Sequence, residues 1–216
     1  IFKTTSTAYA GYDDASQVLY RSVTTVNAGT LKFGANSNAN LRDYGDVVVN
    51  SGAVLDLGSC TNEYVNSIAG SGTITSSGSG ALLLYMQYDN PTSTTFSGLI
   101  ENGSATSVGL VKNNVVGTIS TLTLSSANTY TGATIVNGGG TLIAKNNTAL
   151  GTIAGGVTVN NGATLQLQGG VSIGAESLSL SGYGVNSYGA LESVSGVNSW
   201  SGGVTLAGTA TRIDRK

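Results

Sequence analysis

Residues 25–57 read TVNAGTLKFGANSNANLRDYGDVVVNSGAVLDL, and residues 135–167 read IVNGGGTLIAKNNTALGTIAGGVTVNNGATLQL. The two stretches are equally long, and each holds a smaller pattern twice. That pattern is an apolar residue, Asn, one or two small residues, Gly or Ala, then Thr or Val followed by Leu. Its asparagines are Asn27, Asn50, Asn137 and Asn160, and its leucines are Leu31, Leu55, Leu142 and Leu165. The interval from Leu31 to Leu55 matches that from Leu142 to Leu165 to within a single position.

A recurrence at that interval, roughly 23 residues, is the mark of a stacked-repeat architecture. Between the asparagines, runs such as Val157-Thr158-Val159 and Thr164-Leu165-Gln166-Leu167 alternate apolar and polar residues. Alternation puts every second side chain on one face of a strand, so the Val and Leu face needs burial and the Thr and Gln face tolerates water. Two or three such strands joined by Asn/Gly corners make one coil. Coils stacked at strand spacing, ~4.8 Å apart, bury a continuous apolar column. Asn27, Asn50, Asn137 and Asn160 are thus structural corner residues, each amide placed to bond its equivalent in the next coil. At this step the chain makes roughly nine coils and a rod on the order of 40 Å long.

Composition agrees with an all-β solenoid. Gly contributes 32 residues, charged residues fall to 9% and hydrophobic residues reach 40%, with a net charge of −2. Disordered chains show the opposite balance, few apolar residues and high net charge. A single Pro leaves backbone donors free for long ladders. An antiparallel sandwich also wants short strands and Gly-rich turns, but it requires no fixed step with matched corners. Residues 1–22 depart from the pattern and read as a divergent N-terminal cap or first coil, with residues 23–216 the repeat-built helix. Asp13 to Tyr20 reads as a short helix or a strand.

The residues closely resemble the autotransporter-associated β-strand repeat, also called the passenger-associated transport repeat. The clearest stretch is Leu122 to Leu150, LTLSSANTYTGATIVNGGGTLIAKNNTAL, with its Leu-Thr-Leu, Asn-Thr-Tyr-Thr-Gly, Val-Asn and Gly-Thr-Leu runs. SIAGSGTIT at 67–75, TTFSGLI at 94–100 and SIGAESLSLSGYGV from 172 look like segments that flank such repeats. The resemblance covers residues 65–210 well and 23–58 moderately. It implies a right-handed parallel β-helix exported through the outer membrane of a Gram-negative cell and displayed at its surface or released. Members use this rod as adhesin, spacer or carrier, so the resemblance speaks to architecture and route rather than activity.

Chemistry is sparse. Histidine is absent, which removes the commonest general base and metal ligand. One cysteine, Cys60, forms no internal disulfide and reads as a small buried residue. No cofactor and no metal site is expected. The carboxylate grouping nearest to a site is Arg42, Asp43 and Asp46 with Asp56; sugar-cleaving chemistry needs such groups paired, and Ca²⁺ needs their oxygens. The Gly-rich runs have no following helix and read as turns rather than phosphate loops. Thr-x-Thr pairs do not recur on every coil, as an ice-binding face would require.

Nine scattered basic residues argue against nucleic acid, and no apolar run is long enough to span a bilayer as a helix. Among ten tyrosines, Tyr130 lies inside the repeat and reads as packed at a corner. Tyr9, Tyr12, Tyr20, Tyr85 and Tyr88 read as exposed and suited to contact a protein or glycan. The expected role is therefore a non-catalytic shaft or adhesin of an autotransporter-type surface protein, meeting a host or cell-surface protein or glycan. A subunit that stacks on itself into a fibre or sheath is the alternative, and a polysaccharide-acting enzyme the third.

Overall fold

Short β-branched runs flanked by Asn or Gly become strands, and each strand pairs in parallel with the equivalent strand one coil on. The computed structural model describes residues 23–33, 45–87, 93–114 and 119–216, apart from the Thr209 side chain. Among these residues the longest face carries nine strands: Val23–Val26, Asp46–Val49, Ser67–Gly70, Ser93–Phe96, Ser120–Leu124, Gly140–Ala144, Thr164–Gln168, Leu191–Ser195 and Ile213–Arg215. A second face carries seven: Asn62–Val65, Ala81–Met86, Ser107–Lys112, Thr134–Val136, Val157–Val159, Leu178–Gly182 and Val204–Thr211. The third side has four strands low in the stack, from Gly29–Lys32 to Leu99–Ile100, and two near the top, Ser172–Ile173 and Ser199–Trp200.

This is the expected parallel β-helix, with one adjustment to its count. The longest face has nine rungs, but among the described residues the first and last lack a strand on the seven-strand face, so about seven turns are complete. The step also breathes more than the quoted stretches suggest. Ser120 faces Gly140, whereas Ser93 faces Thr121, so the coil begun at Ser93 is markedly longer than the one begun at Ser120. The strands hold register while the corners absorb the difference, because strand pairing fixes the apolar face and loops on the outside are free to lengthen.

The two quoted stretches do not occupy equivalent places. Asn27 and Asn50 turn the chain from the nine-strand face to the third side. Asn137 and Asn160 turn it from the seven-strand face into the nine-strand face. Their offset is not a whole number of coils, so the motif encodes a corner rather than a side. The local geometry is nonetheless one geometry. The Asn50, Asn137 and Asn160 carbonyls accept from the N–H three residues on, at 2.9, 3.0 and 3.0 Å. The third residue of each corner is a glycine at positive φ: Gly29 at 70°, Gly52 at 76°, Gly139 at 76° and Gly162 at 78°. That is the pattern of a type II turn, which needs Gly at its third position. Each corner amide also meets its neighbour: Asn50 Nδ2 donates to Asn27 Oδ1 and Asn160 Nδ2 to Asn137 Oδ1, both at 2.7 Å.

Inside, side chains stack in register columns. On the nine-strand face Leu122, Leu142, Leu165, Leu191 and Ile213 follow one another. On the seven-strand face one column runs Val65, Met86, Lys112, Val136, Val159, Leu180, Leu206. A second runs Glu63, Leu84, Leu110, Thr134, Val157, Leu178, Val204. Each side chain is buried by the ones above and below it, so the columns form one hydrophobic core.

Candidate functional site

The columns end abruptly at the C-terminal rung. Val204, Leu206 and Ile213 occupy the same inward positions as Leu178, Leu180 and Leu191, yet they are 44%, 59% and 53% exposed. Among the described residues no strand stacks on them. Together with Val197, Tyr183 and Tyr188 they make six of the eight large exposed hydrophobics among the described residues. Among the described residues Val204–Thr211 and Ile213–Arg215 are the last strands of their sheets. Charged side chains fringe this end. Arg212 pairs with Asp214 at 2.7 Å, Lys216 pairs with the buried Glu192 at 2.9 Å, and the Lys216 ammonium sits 4.8 Å over the Tyr188 ring. The N–H of Arg215 and the Arg212 guanidinium hold the Asp214 carboxyl below the usual carboxylate range.

The segment that closes this rung packs against the backbone beside a buried acid. Trp200 Nε1 donates to the Glu176 carbonyl at 2.8 Å, and Leu178 N–H donates to the Gly203 carbonyl at 2.9 Å. Between them Gly202 passes so close that a Cβ there would collide with the Glu176 backbone. Glu176 is 3% exposed, and its Oε1 has no hydrogen-bond partner. Burial raises its carboxyl from 4.5 to about 7. Below it, Tyr130 is fully buried with its hydroxyl 2.7 Å from Thr134 Oγ1. Burial pushes the Tyr130 phenol above its usual range; the Thr134 bond opposes this and the Glu176 charge adds to it.

A second ionisable group sits mid-column. Lys112 takes the position between Met86 and Val136 and is 5% exposed. Burial lowers its ammonium from 10.5 to about 8. Its Nζ donates to the Ser120 hydroxyl and, at 2.9 Å, to the Asn113 carbonyl. An amine beside a serine hydroxyl is the material of a nucleophile and base. Ser120 is itself buried, however, and the neighbouring void of about 10 Å³ has room for one water at most.

The sequence-flagged carboxylates are dispersed among structural tasks. Asp46 opens a strand of the nine-strand face, accepting from Asn66 Nδ2 and Ser67 Oγ, both at 2.6 Å. Asp56 ends a strand on the third side, accepts from Gly58 and Ser77 N–H groups at 2.9 and 2.8 Å, and stands 3.8 Å from Lys32 Nζ. Burial of Asp56 works to raise its carboxyl, but those N–H bonds and the Lys32 charge outweigh it, so it lies below its usual value. Asp46 and Asp56 are thus on different sides of the coil. Among the described residues no three His, Cys, Asp or Glu side chains gather to hold a metal ion.

Of the tyrosines singled out for contact, Tyr85 is half-buried and stacks on Tyr64 with ring centroids 4.6 Å apart. The rungs thus stack the rings face to face. Tyr9, Tyr12, Tyr20 and Tyr88 lie outside the described residues, as do Arg42, Asp43 and the 1–22 cap with its short helix or strand. Tyr183 and Tyr188, about half exposed beside the open end, were not singled out from sequence. Their signal was present in SGYGVNSYGA at 181–190, a stretch with no alternation to pull an aromatic ring inward. Cys60 is buried. Compared with family models, curated proteins and solved structures, the chain matches none.

Proposed function

We propose that this chain is a non-catalytic stretch of a longer extracellular rod, of the autotransporter-passenger kind, serving as shaft or adhesin on a Gram-negative cell surface. The observation that carries the reading is the register of the stack. Equivalent strands pair coil on coil, their apolar side chains run in continuous columns, and the corner amides of Asn27 and Asn50 and of Asn137 and Asn160 bond from one coil to the next. The repeat residues quoted above support the same reading. The described carboxylates of the earlier grouping are occupied in holding corners, which favours scaffold over enzyme. Exposed Tyr183 and Tyr188 supply rigid amphipathic surface for a protein or glycan partner.

The coil-to-coil amide bonds also favour a second reading, in which copies of the chain stack on one another and build a fibre. Negative-stain microscopy across a concentration series separates the two. Short single rods on the order of 40 Å long at every concentration are expected for the shaft. Filaments that lengthen with concentration and disappear in Leu206→Lys overturn it in favour of the self-assembling subunit.

A further inference from the structure

We propose that Lys112 and Ser120 form a self-processing site, which cuts the chain's own peptide bond between Ile119 and Ser120 once and leaves the two parts stacked. The proposal goes beyond the scaffold reading and does not rest on it, because the chain acts on itself and turns over no substrate.

The geometry selects both the nucleophile and the bond. Among the described residues Ser120 is the serine whose hydroxyl meets an amine, that of Lys112. The two residues are 4% and 5% exposed, and the void of about 10 Å³ beside them holds no more than one water. No outside substrate reaches them. One carbonyl needs no access. Ile119 is joined covalently to Ser120, so its carbonyl carbon closes a five-membered ring with the Ser120 hydroxyl. The chain passes from surface to core at this bond, with Ile119 44% exposed and Ser120 opening the buried strand Ser120–Leu124.

The steps balance with water as the only co-reactant. As an ammonium, Lys112 Nζ donates to Ser120 Oγ; as a neutral amine at the same contact, it takes the hydroxyl proton. Oγ bonds to the Ile119 carbonyl carbon, the bond from that carbon to the Ser120 nitrogen breaks, and the nitrogen receives the proton from Lys112. One water then hydrolyses the ester. The products are a carboxylate on Ile119 and an amino terminus on Ser120, whose hydroxyl is restored. Nothing is oxidised or reduced. Burial frees the amine by lowering it to about 8. The column neighbours Met86 and Val136 are uncharged, and among the described residues no ion pair includes Lys112. Glu63 lies two rungs lower on the same face, and Asp46 is engaged by Asn66 and Ser67, which line the void. After the cut the parts stay together, because Thr121 pairs with Ser93 on the coil before and Thr141 on the coil after.

The test is denaturing mass spectrometry of the full chain, purified at pH 6 and then held at pH 6 or pH 9. Fragments 1–119 and 120–216 are expected. They should form on the order of 100-fold faster at pH 9, the ratio of neutral amine at the two values. Under native conditions the mass should remain that of both fragments together. Hydroxylamine, which attacks esters, should quicken the cut and leave a hydroxamate on Ile119. Ser120→Ala and Lys112→Met should stay whole, with far-UV circular dichroism confirming that both are folded. A chain that stays whole at pH 9 with hydroxylamine overturns the proposal, as does a cut at this bond that survives in either folded variant.

Discussion

Leu180 and Leu206 are register partners in one column, on adjacent coils with the same alternation, and they have opposite fates. Leu180 is fully buried, whereas Leu206 is 59% exposed. Nothing in their own strands separates them, since Leu178-Ser179-Leu180 and Val204-Thr205-Leu206 carry the same pattern. The difference is the presence of a next coil. In this architecture burial is conferred along the axis by neighbours, and a residue is core or surface according to its rung.

That contrast can be broken or sharpened by substitution. The largest effect is expected at Leu180→Ala, a loss of about 3 kcal/mol as cavity and transfer costs add. Leu206→Ala should cost less than about 1 kcal/mol, because most of that side chain already meets water. Equal losses in urea unfolding would mean the end is already covered.

Next comes Lys112, the cation in the middle of the same column. Its folded-state value of about 8 lies below its ordinary 10.5. The unfolded chain therefore binds more protons between those values, and stability rises with pH through that window. Below pH 8 the penalty is constant and on the order of 3 kcal/mol. Lys112→Met, which continues the Met86 column, should therefore raise stability at pH 7 by about 2 kcal/mol, allowing for the bonds lost to Ser120 and Asn113. The gain should shrink towards pH 10. A gain independent of pH would place the ammonium in water.

Gly162 and Gly203 test the comparison through the backbone. Gly162→Ala places a Cβ at φ 78° in an interior corner and should cost about 1 kcal/mol. Gly203, on the terminal rung, has open space around it and no positive φ, so its replacement by Ala should fall within about 0.5 kcal/mol of zero. The smallest effect is expected at Asn160→Ala. Its amide bond to Asn137 is exposed, and its loss should cost about 0.5 kcal/mol in thermal unfolding.

The parallel stack was legible because alternation and Asn/Gly corners are both local. Val157-Thr158-Val159 states which side chains turn inward, and Asn160-Asn161-Gly162 states where the chain bends. Which side of the coil a corner serves was not legible. The turn is the same whether it leads from the seven-strand face, as at Asn160, or from the nine-strand face, as at Asn50. Counting coils from the motif step also overlooked the partial first and last rungs. Lys112 was hidden by its type: at the end of Ser107-Val-Gly-Leu-Val-Lys112, alternation points it inward while its charge argues for water. Glu176 was hidden likewise, since a carboxylate in Gly174-Ala-Glu-Ser-Leu178 carries no local sign that it is 3% exposed.

The parallel pairing of the strands also sets how the rod yields to force. Its ladder bonds run along the axis, so a pull on the two ends strains the rungs in series, and an end coil, held by a neighbour on one side only, yields first. The rod gives way by peeling, one coil at a time from an end. Each coil of the 23-residue step between Asn137 and Asn160 releases about 8 nm of extended chain. A rod made this way acts as a tether that lets out length one coil at a time, in increments that vary with the coil, and keeps the coils behind the tear folded.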